Sequence, residues 1–180
     1  MAVDRKASRG YISVMSNVWL FALFLAFSGL IYLQFIRGRR KNLDLIKRCS
    51  ATMENVFRPA DRTYTWIGGV AGFKAKYEFQ DGVKLFATFV LLPRQSLLYF
   101  PFSKLIFRAD RLYLTLELPH TNRLKRFPSK AWGEEETGLK FLKKLEVDPS
   151  GRRLKALIWY DADSIENVFI WLKDRISKAV

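Results

Sequence analysis

Cysteine and histidine are almost absent from this 180-residue sequence, which contains one of each, Cys49 and His120. A single cysteine excludes an internal disulfide, a cysteine-based zinc site and a CxxC redox pair, and a single histidine excludes the usual multi-histidine metal sites. Acidic residues are also scarce, since 17 Asp and Glu stand against 31 Lys and Arg, a net charge of +14. This excess of basic residues favours a negatively charged partner.

Local motifs for catalysis or cofactor binding are missing as well. His120 has no orienting carboxylate or nucleophile near it in the sequence, so it lacks the partners that a general base needs. The run GGVAG, residues 68–72, lacks the spacing and the lysine of a phosphate-binding loop, and we interpret it as a bulge or bend in a strand-rich stretch. The acidic run at residues 134–136 lacks the alternating oxygen ligands of a calcium loop. We therefore predict a non-enzymatic protein without a catalytic residue, a metal site or a cofactor.

One stretch, Tyr11 to Ile36, contains no charged residue. A helix of this length, rising about 1.5 Å per residue, crosses a hydrocarbon core of about 30 Å. A cleaved signal peptide is the alternative, but its apolar region is shorter, and here RGRRK follows in place of a cleavage site. Three basic residues precede the stretch and six follow within a dozen positions. The positive-inside rule therefore predicts a single-pass protein with its N-terminus outside or lumenal and its C-terminal domain cytoplasmic.

The chain divides into four predicted parts. Residues 1–10 form a short non-cytoplasmic N-terminus, 11–36 the transmembrane helix, 37–58 a juxtamembrane amphipathic helix that stops at Arg58-Pro59, and 59–180 a cytoplasmic domain. The last part shows two hairpins, turning at 80–82 and at 148–151, a strand with alternating leucines at 111–118, an irregular connection at 119–138 and a closing helix that begins at Asp163 or Ser164. The predicted fold class is α+β, a single N-terminal transmembrane helix followed by a compact antiparallel sheet with flanking helices.

The run LLYFPFSKLIF, Leu97 to Phe107, is unusually apolar for a segment between two strands. One interpretation is a helix packed on the sheet as core, because a small sheet needs a helix to cover one face. The other is an apolar face turned toward the membrane or a hydrophobic partner, with basic residues at headgroup level on either side. The candidate residues of that face are Leu98, Tyr99, Phe100, Phe102, Ile106 and Phe107.

The part of the chain after residue 36 keeps 28 basic and 16 acidic residues, a net charge of +12. Ribosomal RNA and anionic lipid headgroups both attract such a domain through the same salt-sensitive Coulomb interaction. Membrane topology alone explains RGRRK. The candidate RNA or phosphate contacts are therefore Arg123, Lys125, Arg126, Lys130, Arg152 and Arg153. RNA-recognition motifs with aromatic signatures are missing, so we expect no sequence-specific RNA binding.

The segment Leu91 to Leu118 carries a resemblance to a known family. An apolar pair, Arg94-Gln95, Leu97-Leu98, an eleven-residue helical stretch, Asp110 and an alternating strand follow one another without a gap. This order resembles the central segment of the calumin family, coiled-coil-domain membrane proteins of the endoplasmic reticulum that belong to the PAT chaperone complex of the multipass translocon. That family has a long acidic lumenal region and a basic coiled coil, whereas about ten residues precede the anchor here and the sequence stops at Val180. The resemblance implies a minimal form of the family, of the kind a prokaryote would carry.

The resemblance also implies a function. In the calumin family this is non-enzymatic: with a small multipass partner called Asterix, the protein forms an intramembrane chaperone at the Sec translocon, near the ribosome. We therefore expect a biogenesis factor that assists insertion or folding of multipass membrane proteins, with the translocon, the ribosome, an Asterix-like protein and the lipid bilayer as partners. The alternative is a membrane-anchored module that binds anionic lipid through a basic, apolar-tipped domain.

Overall fold

The computed structural model describes residues 4–119, 130–132, 140–148, 150, 152–160 and 165–179. These residues form one long helix, then an antiparallel sheet with two further helices, which confirms the predicted α+β class. The elements are α1 (Asp4–Phe57), β1 (Asp61–Ile67), β2 (Gly72–Glu78), β3 (Lys84–Val90), α2 (Tyr99–Phe107), β4 (Asp110–Glu117), β5 (Lys130–Trp132), β6 (Leu142–Val147), β7 (Arg153–Tyr160) and α3 (Ile165–Ala179).

The seven strands form one sheet in the order β1-β2-β3-β4-β7-β6-β5, with antiparallel neighbours throughout. Both predicted hairpins are present: Glu78 pairs with Lys84 across the first turn, and β6 pairs with β7 across the second. One prediction was wrong in part, since Lys130–Trp132 of the expected irregular connection is a strand that pairs with β6. A three-residue strand is too short to show a period in the sequence, so only its pairing partner identifies it.

The glycine-rich segment after β1 corrects another expectation. Gly68 and Gly69 have φ angles of 50° and 61°, and the amide of Ala71 donates to the carbonyl of Gly68 at 3.0 Å. Two successive left-handed residues reverse the chain, so the segment joins two paired strands and is not a bulge within one. The residues before and after this turn both have a strand-like composition, so the sequence pattern did not separate β1 from β2.

The core lies on one face of the sheet, between the strands and two helices. The alternating leucines in and directly after β4, Leu112 to Leu118, are all buried. Most of the apolar residues at helical spacing in the second half of α1 and in the described side chains of α3 are buried as well. The rings of Phe57 in α1 and Phe169 in α3 meet with centroids 6.1 Å apart, so the two helices cover the sheet side by side. The core residues of these helices are Ile46, Cys49, Met53, Phe57, Ile165, Val168, Phe169 and Leu172.

The first half of α1 exposes its described apolar side chains, in contrast to the second half. Its large apolar side chains between Val18 and Phe35 are exposed, and the most apolar window of the helix is not buried inside the fold. This is one helix near the N-terminus that is long and apolar enough to cross a membrane, and it continues without interruption into the domain. The helix ends where the sequence predicts, because Arg58 has a φ of 45° and donates its amide to Glu54. We call the charge-free part, Tyr11 to Ile36, the anchor.

The strand register gives the sheet two distinct ends. One row of paired residues contains Ile67, Gly72, Val90, Arg111 and Trp159, and the opposite row contains Asp61, Glu78, Lys84, Glu117 and Arg153. The juxtamembrane half of α1 runs from the first row to the second: Asn42 bonds Val70 and Leu92 near the first, and Glu54 bonds Arg62 and Tyr64 near the second. We call these the anchor-proximal and distal ends; six residues of strand, about 20 Å, separate them.

Candidate functional site

The short helix α2 has its large apolar side chains on the outside. Its buried residue is Ser103, at 1% exposure, whereas Leu105 is 77% exposed. A helix that covers a sheet in water does the reverse and buries its bulky apolar stripe. The exposed apolar residues in and next to α2 are Leu98, Tyr99, Phe102, Leu105 and Ile106, which we call the α2 face.

The interpretation of this segment as core is therefore wrong. No residue of α2 belongs to the hydrophobic core of the described residues. The reason is that α1 and α3 already cover the one face of the sheet that needs covering, while the other face carries charged side chains such as Lys74 and Lys155. Of the six residues predicted for an apolar face, four are exposed, and Phe100 and Phe107 are half-buried. Leu105, which the sequence analysis did not name, is the most exposed large apolar side chain of the segment.

The loop before α2 is held directly against α1, at the end of the anchor. The side-chain amide of Gln34 donates to the backbone carbonyl of Arg94 at 3.0 Å. Gly38, one turn further, is buried so closely under this loop that a Cβ placed on it would lie 2.0 Å from the same carbonyl oxygen. Gln34 and Gly38 lie on either side of Ile36, the last residue of the anchor, so the loop meets α1 where its charge-free stretch ends.

A buried ion pair fixes the same loop from the other side. The guanidinium of Arg94 donates from Nη1 to Oδ1 of Asp110 at 3.0 Å and from Nη2 to Oδ2 at 2.8 Å. Oδ1 also accepts the backbone amide of Leu92 at 2.8 Å. The Asp110 side chain is 2% exposed and that of Arg94 20%. A bidentate pair with little contact with water defines one geometry, because each lost bond leaves a buried charge without a partner.

Asn42 of α1 completes the network and was missed by the sequence analysis. It is fully buried, accepts a bond from Arg94 Nη1 at 3.0 Å and donates to the carbonyls of Leu92 and Val70 at 2.9 and 3.0 Å. Its spacing to Ile46 and Cys49 places it on the apolar stripe of the amphipathic helix, and a polar residue on that stripe was the available signal. We call Asn42, Arg94 and Asp110 the clasp, because they tie the helix, the loop and the sheet together.

The clasp lies beside the hydrophobic core. Tyr160 pairs with Asp110 in the strand register and is almost completely buried. Burial raises the pKa of the Tyr160 phenol well above its ordinary value, and the neighbouring Cys49 and Asp110 act in the same direction. Tyr160 therefore stays neutral, and Arg94 supplies the positive charge that balances Asp110.

Basic residues surround the α2 face. Lys104 and Arg108 are exposed on and directly after the helix, and the guanidinium of Arg111 lies 4.0 Å above the ring of Phe107. Arg37, Arg40 and Lys41 line a cleft together with Gln34, Gly38, Arg94 and Phe100. The sequence from Arg94 to Ala109 contains no acidic residue. The apolar surface therefore has a positively charged border.

Two of the predicted phosphate contacts, Arg152 and Arg153, lie away from the α2 face. Arg152 is exposed at the distal end, and Arg153 next to it bonds Glu117 at 2.8 Å. Lys130 is in β5, while Arg123, Lys125 and Arg126 lie outside the described residues. Arg152 and Arg153 are thus about one strand length from the α2 face, and the structure does not bring these two residues next to it.

No protein-family model matches this chain, and no curated protein matches it either. Of the five residues that carry the resemblance to the calumin family, Arg94, Gln95 and Asp110 do meet in space: Gln95 Oε1 lies 3.4 Å from Asn42 Nδ2, within reach of the clasp. Leu97 is half-buried and Leu98 exposed before α2. The resemblance to that family remains a prediction.

Proposed function

We propose that the chain is a non-enzymatic membrane-protein biogenesis factor that works at the Sec translocon and the ribosome and assists multipass proteins during insertion or folding. The observation that supports this function best is the α2 face, an apolar surface held by the clasp beside the end of the anchor. A chaperone for transmembrane segments needs apolar surface at the level where such segments enter the bilayer, and a soluble domain has no use for it there.

We propose the orientation that places the domain in the cytoplasm and the N-terminus outside. The larger number of basic residues after the anchor supports it through the positive-inside rule. In this orientation the distal end points away from the membrane, because α1 runs from the anchor along the sheet toward that end. Arg152 is then available to ribosomal RNA, while the basic border of α2 lies at the membrane.

The first test is copurification. In mild detergent at low salt, the full-length protein is expected to recover a SecY- or Sec61-type channel, ribosomes and a small Asterix-like membrane protein. Photocrosslinkers at Trp19 in the anchor and at Phe102 in the α2 face are expected to capture multipass proteins during synthesis, since both side chains are exposed. A crosslinker at Lys74, on the open face of the sheet, is the control. Recovery of neither channel nor ribosome would contradict the proposal.

The ribosome contact gives a separate prediction. Reversal of Arg123, Lys125, Arg126 and Lys130 to glutamate is expected to abolish cosedimentation with ribosomes at low salt. The wild-type contact should weaken steeply with added salt, because each neutralised phosphate releases counterions. The variant with four other exposed lysines, Lys47, Lys74, Lys155 and Lys173, changed to glutamate has the same net charge and should still cosediment. Equal loss in both variants would show that only net charge matters, and retention in the first would exclude this cluster as the contact.

A further inference from the structure

We propose that α2 is an in-plane membrane helix, with the α2 face among the acyl chains of the bilayer leaflet on the side of the folded domain. This inference concerns the contact of the protein with lipid and stands apart from the proposed function, because it requires neither a translocon nor a client protein. It gives the chain two membrane contacts, the anchor and α2, on the two sides of the clasp.

The first argument comes from which side chains are buried. The inner side of α2 carries a small buried serine, Ser103, with half-buried Phe100 and Phe107, at spacings of three and four residues. The outer side carries Phe102, Leu105 and Ile106, each at least 64% exposed. Outside the anchor, nine large apolar side chains with described burial are exposed, and five of them belong to the α2 face. Such a concentration of apolar area on one short helix and the residue before it indicates an apolar environment on that side.

The second argument comes from depth. Arg94, five residues before α2, contacts Gln34 and Gly38, which lie two residues before and two residues after the end of the anchor. Four residues of helix span about 6 Å, so the Arg94 carbonyl lies within a few ångströms of the level where the charge-free stretch ends. Phe100, in the first turn of α2, lines the cleft beside Arg37 and Gly38 at the same level. Continuity with the anchor therefore places α2 at the boundary between acyl chains and headgroups.

The third argument identifies the occupant. Lys104, Arg108 and Arg111 lie on and after α2, and the one acidic residue among them, Asp110, is buried and paired with Arg94. A helix at a bilayer surface shows this combination, an apolar side toward the acyl chains and cations at the level of anionic phosphates. The Arg111 side chain lies over the Phe107 ring. Long cationic side chains at a membrane surface adopt this arrangement, in which the apolar stem covers apolar surface and the charge stays in the polar layer. A second copy of the chain would cover the apolar residues but would bring its own Lys104 and Arg108 against the same cations of the basic border.

The experiment measures depth on the full-length protein reconstituted alone in vesicles of phosphatidylcholine with 30% phosphatidylglycerol, roughly the anionic fraction that recruits basic surfaces. A single cysteine is introduced in the Leu105→Cys variant and labelled with an environment-sensitive fluorophore; Cys49 is 1% exposed and stays unlabelled. Leu25→Cys in the anchor is the control inside the bilayer, and Lys74→Cys on the open sheet face is the control in water. We expect the label at residue 105 to be quenched by nitroxide lipids and protected from an aqueous quencher, as at residue 25.

Two other outcomes would overturn the proposal. Quenching of the label at residue 105 by the aqueous reagent to the extent seen at residue 74 would place α2 in water. Protection from both quenchers would show that protein covers the face, which in this preparation means a second copy of the chain.

A variant tests whether the exposed side chains themselves hold α2 in the leaflet. Phe102→Asp with Ile106→Asp, combined with Leu105→Cys, is expected to lower lipid quenching severalfold and raise aqueous quenching, with an unchanged thermal melt, because these side chains contribute nothing to the core. Lipid quenching equal to that of the parent would contradict the role assigned to them.

Replacement of phosphatidylglycerol by phosphatidylcholine is expected to place the label shallower in the bilayer, and an unchanged depth would contradict the role of the basic border. None of these measurements includes ribosomes or translocons, so failure of the proposed function leaves them unaffected.

Discussion

Replacement of Asp110 by alanine is expected to destabilise the folded domain by about 3–5 kcal/mol. The substitution removes the two carboxylate oxygens that accept from the Arg94 guanidinium, one of which also accepts the Leu92 amide. Arg94 then keeps a largely buried positive charge with Asn42 Oδ1 as its remaining described side-chain partner. An unpaired charge in such a place costs far more than the pair contributes, because the desolvation penalty is no longer offset.

Urea unfolding of the full-length protein in detergent micelles, followed by circular dichroism, measures this effect. Glu117→Ala is the matched control, since it removes a carboxylate from an ion pair with the more exposed Arg153; a loss of about 1 kcal/mol or less is expected there. The double variant Asp110→Leu with Arg94→Met removes both charges and should regain much of the stability lost in Asp110→Ala. A change of less than about 1 kcal/mol in Asp110→Ala would contradict the description of the clasp as a buried, coupled pair.

Gly38→Ala is expected to destabilise the protein even though alanine is the better helix former. In an ordinary helix position the change from glycine to alanine stabilises by about 1 kcal/mol. At Gly38 the added Cβ would lie 2.0 Å from the carbonyl oxygen and 2.2 Å from the carbonyl carbon of Arg94, which are backbone atoms and cannot rotate away. The loop must move, and overpacking of this kind costs about 1–3 kcal/mol or more. The movement also breaks the bond from Gln34 to the same carbonyl.

The matched control lies in the same helix. A Cβ on Gly29 would meet nothing within 4 Å, so Gly29→Ala should leave stability unchanged or slightly raised. Thermal melts in micelles compare the two variants, and the fluorophore at residue 105 reports whether α2 has shifted. A melt for Gly38→Ala at or above that of the parent would show that the loop is not packed on α1 as described.

Both predictions concern how α2 is positioned and leave the chemistry of its surface unchanged. The clasp holds the loop by polar contacts from the sheet, and Gly38 permits the loop to touch the end of the anchor. A chain with either feature damaged would still expose Leu105 and Ile106, but at no defined depth. Under the proposed function, we therefore expect both variants to weaken crosslinking from Phe102 to multipass proteins.

The features that the sequence predicted correctly are those set by neighbouring residues. The charge-free stretch from Tyr11 to Ile36, the alternating leucines before Pro119, the Asp-Gly turn and the stripe of α3 each depend on a period or a turn within about ten positions. The end of α1 was also predicted, because the residue before a proline disfavours the helical conformation. The class and most of the element order follow from such patterns.

The candidate site depended on contacts that no local pattern contains. Arg94 and Asp110 are 16 positions apart, and Asn42 is 52 positions from Arg94, so their meeting required the sheet register and the path of α1. The direction of the α2 face was likewise undecided in sequence, since an apolar helix looks the same whether its stripe faces a core or a membrane. Only the folded structure shows that α1 and α3 already cover the core face of the sheet, so that Leu105 has no core surface to pack against. The physical reason is that periodicity reports which residues share a face, whereas the occupant of that face is decided by what the rest of the chain has already covered.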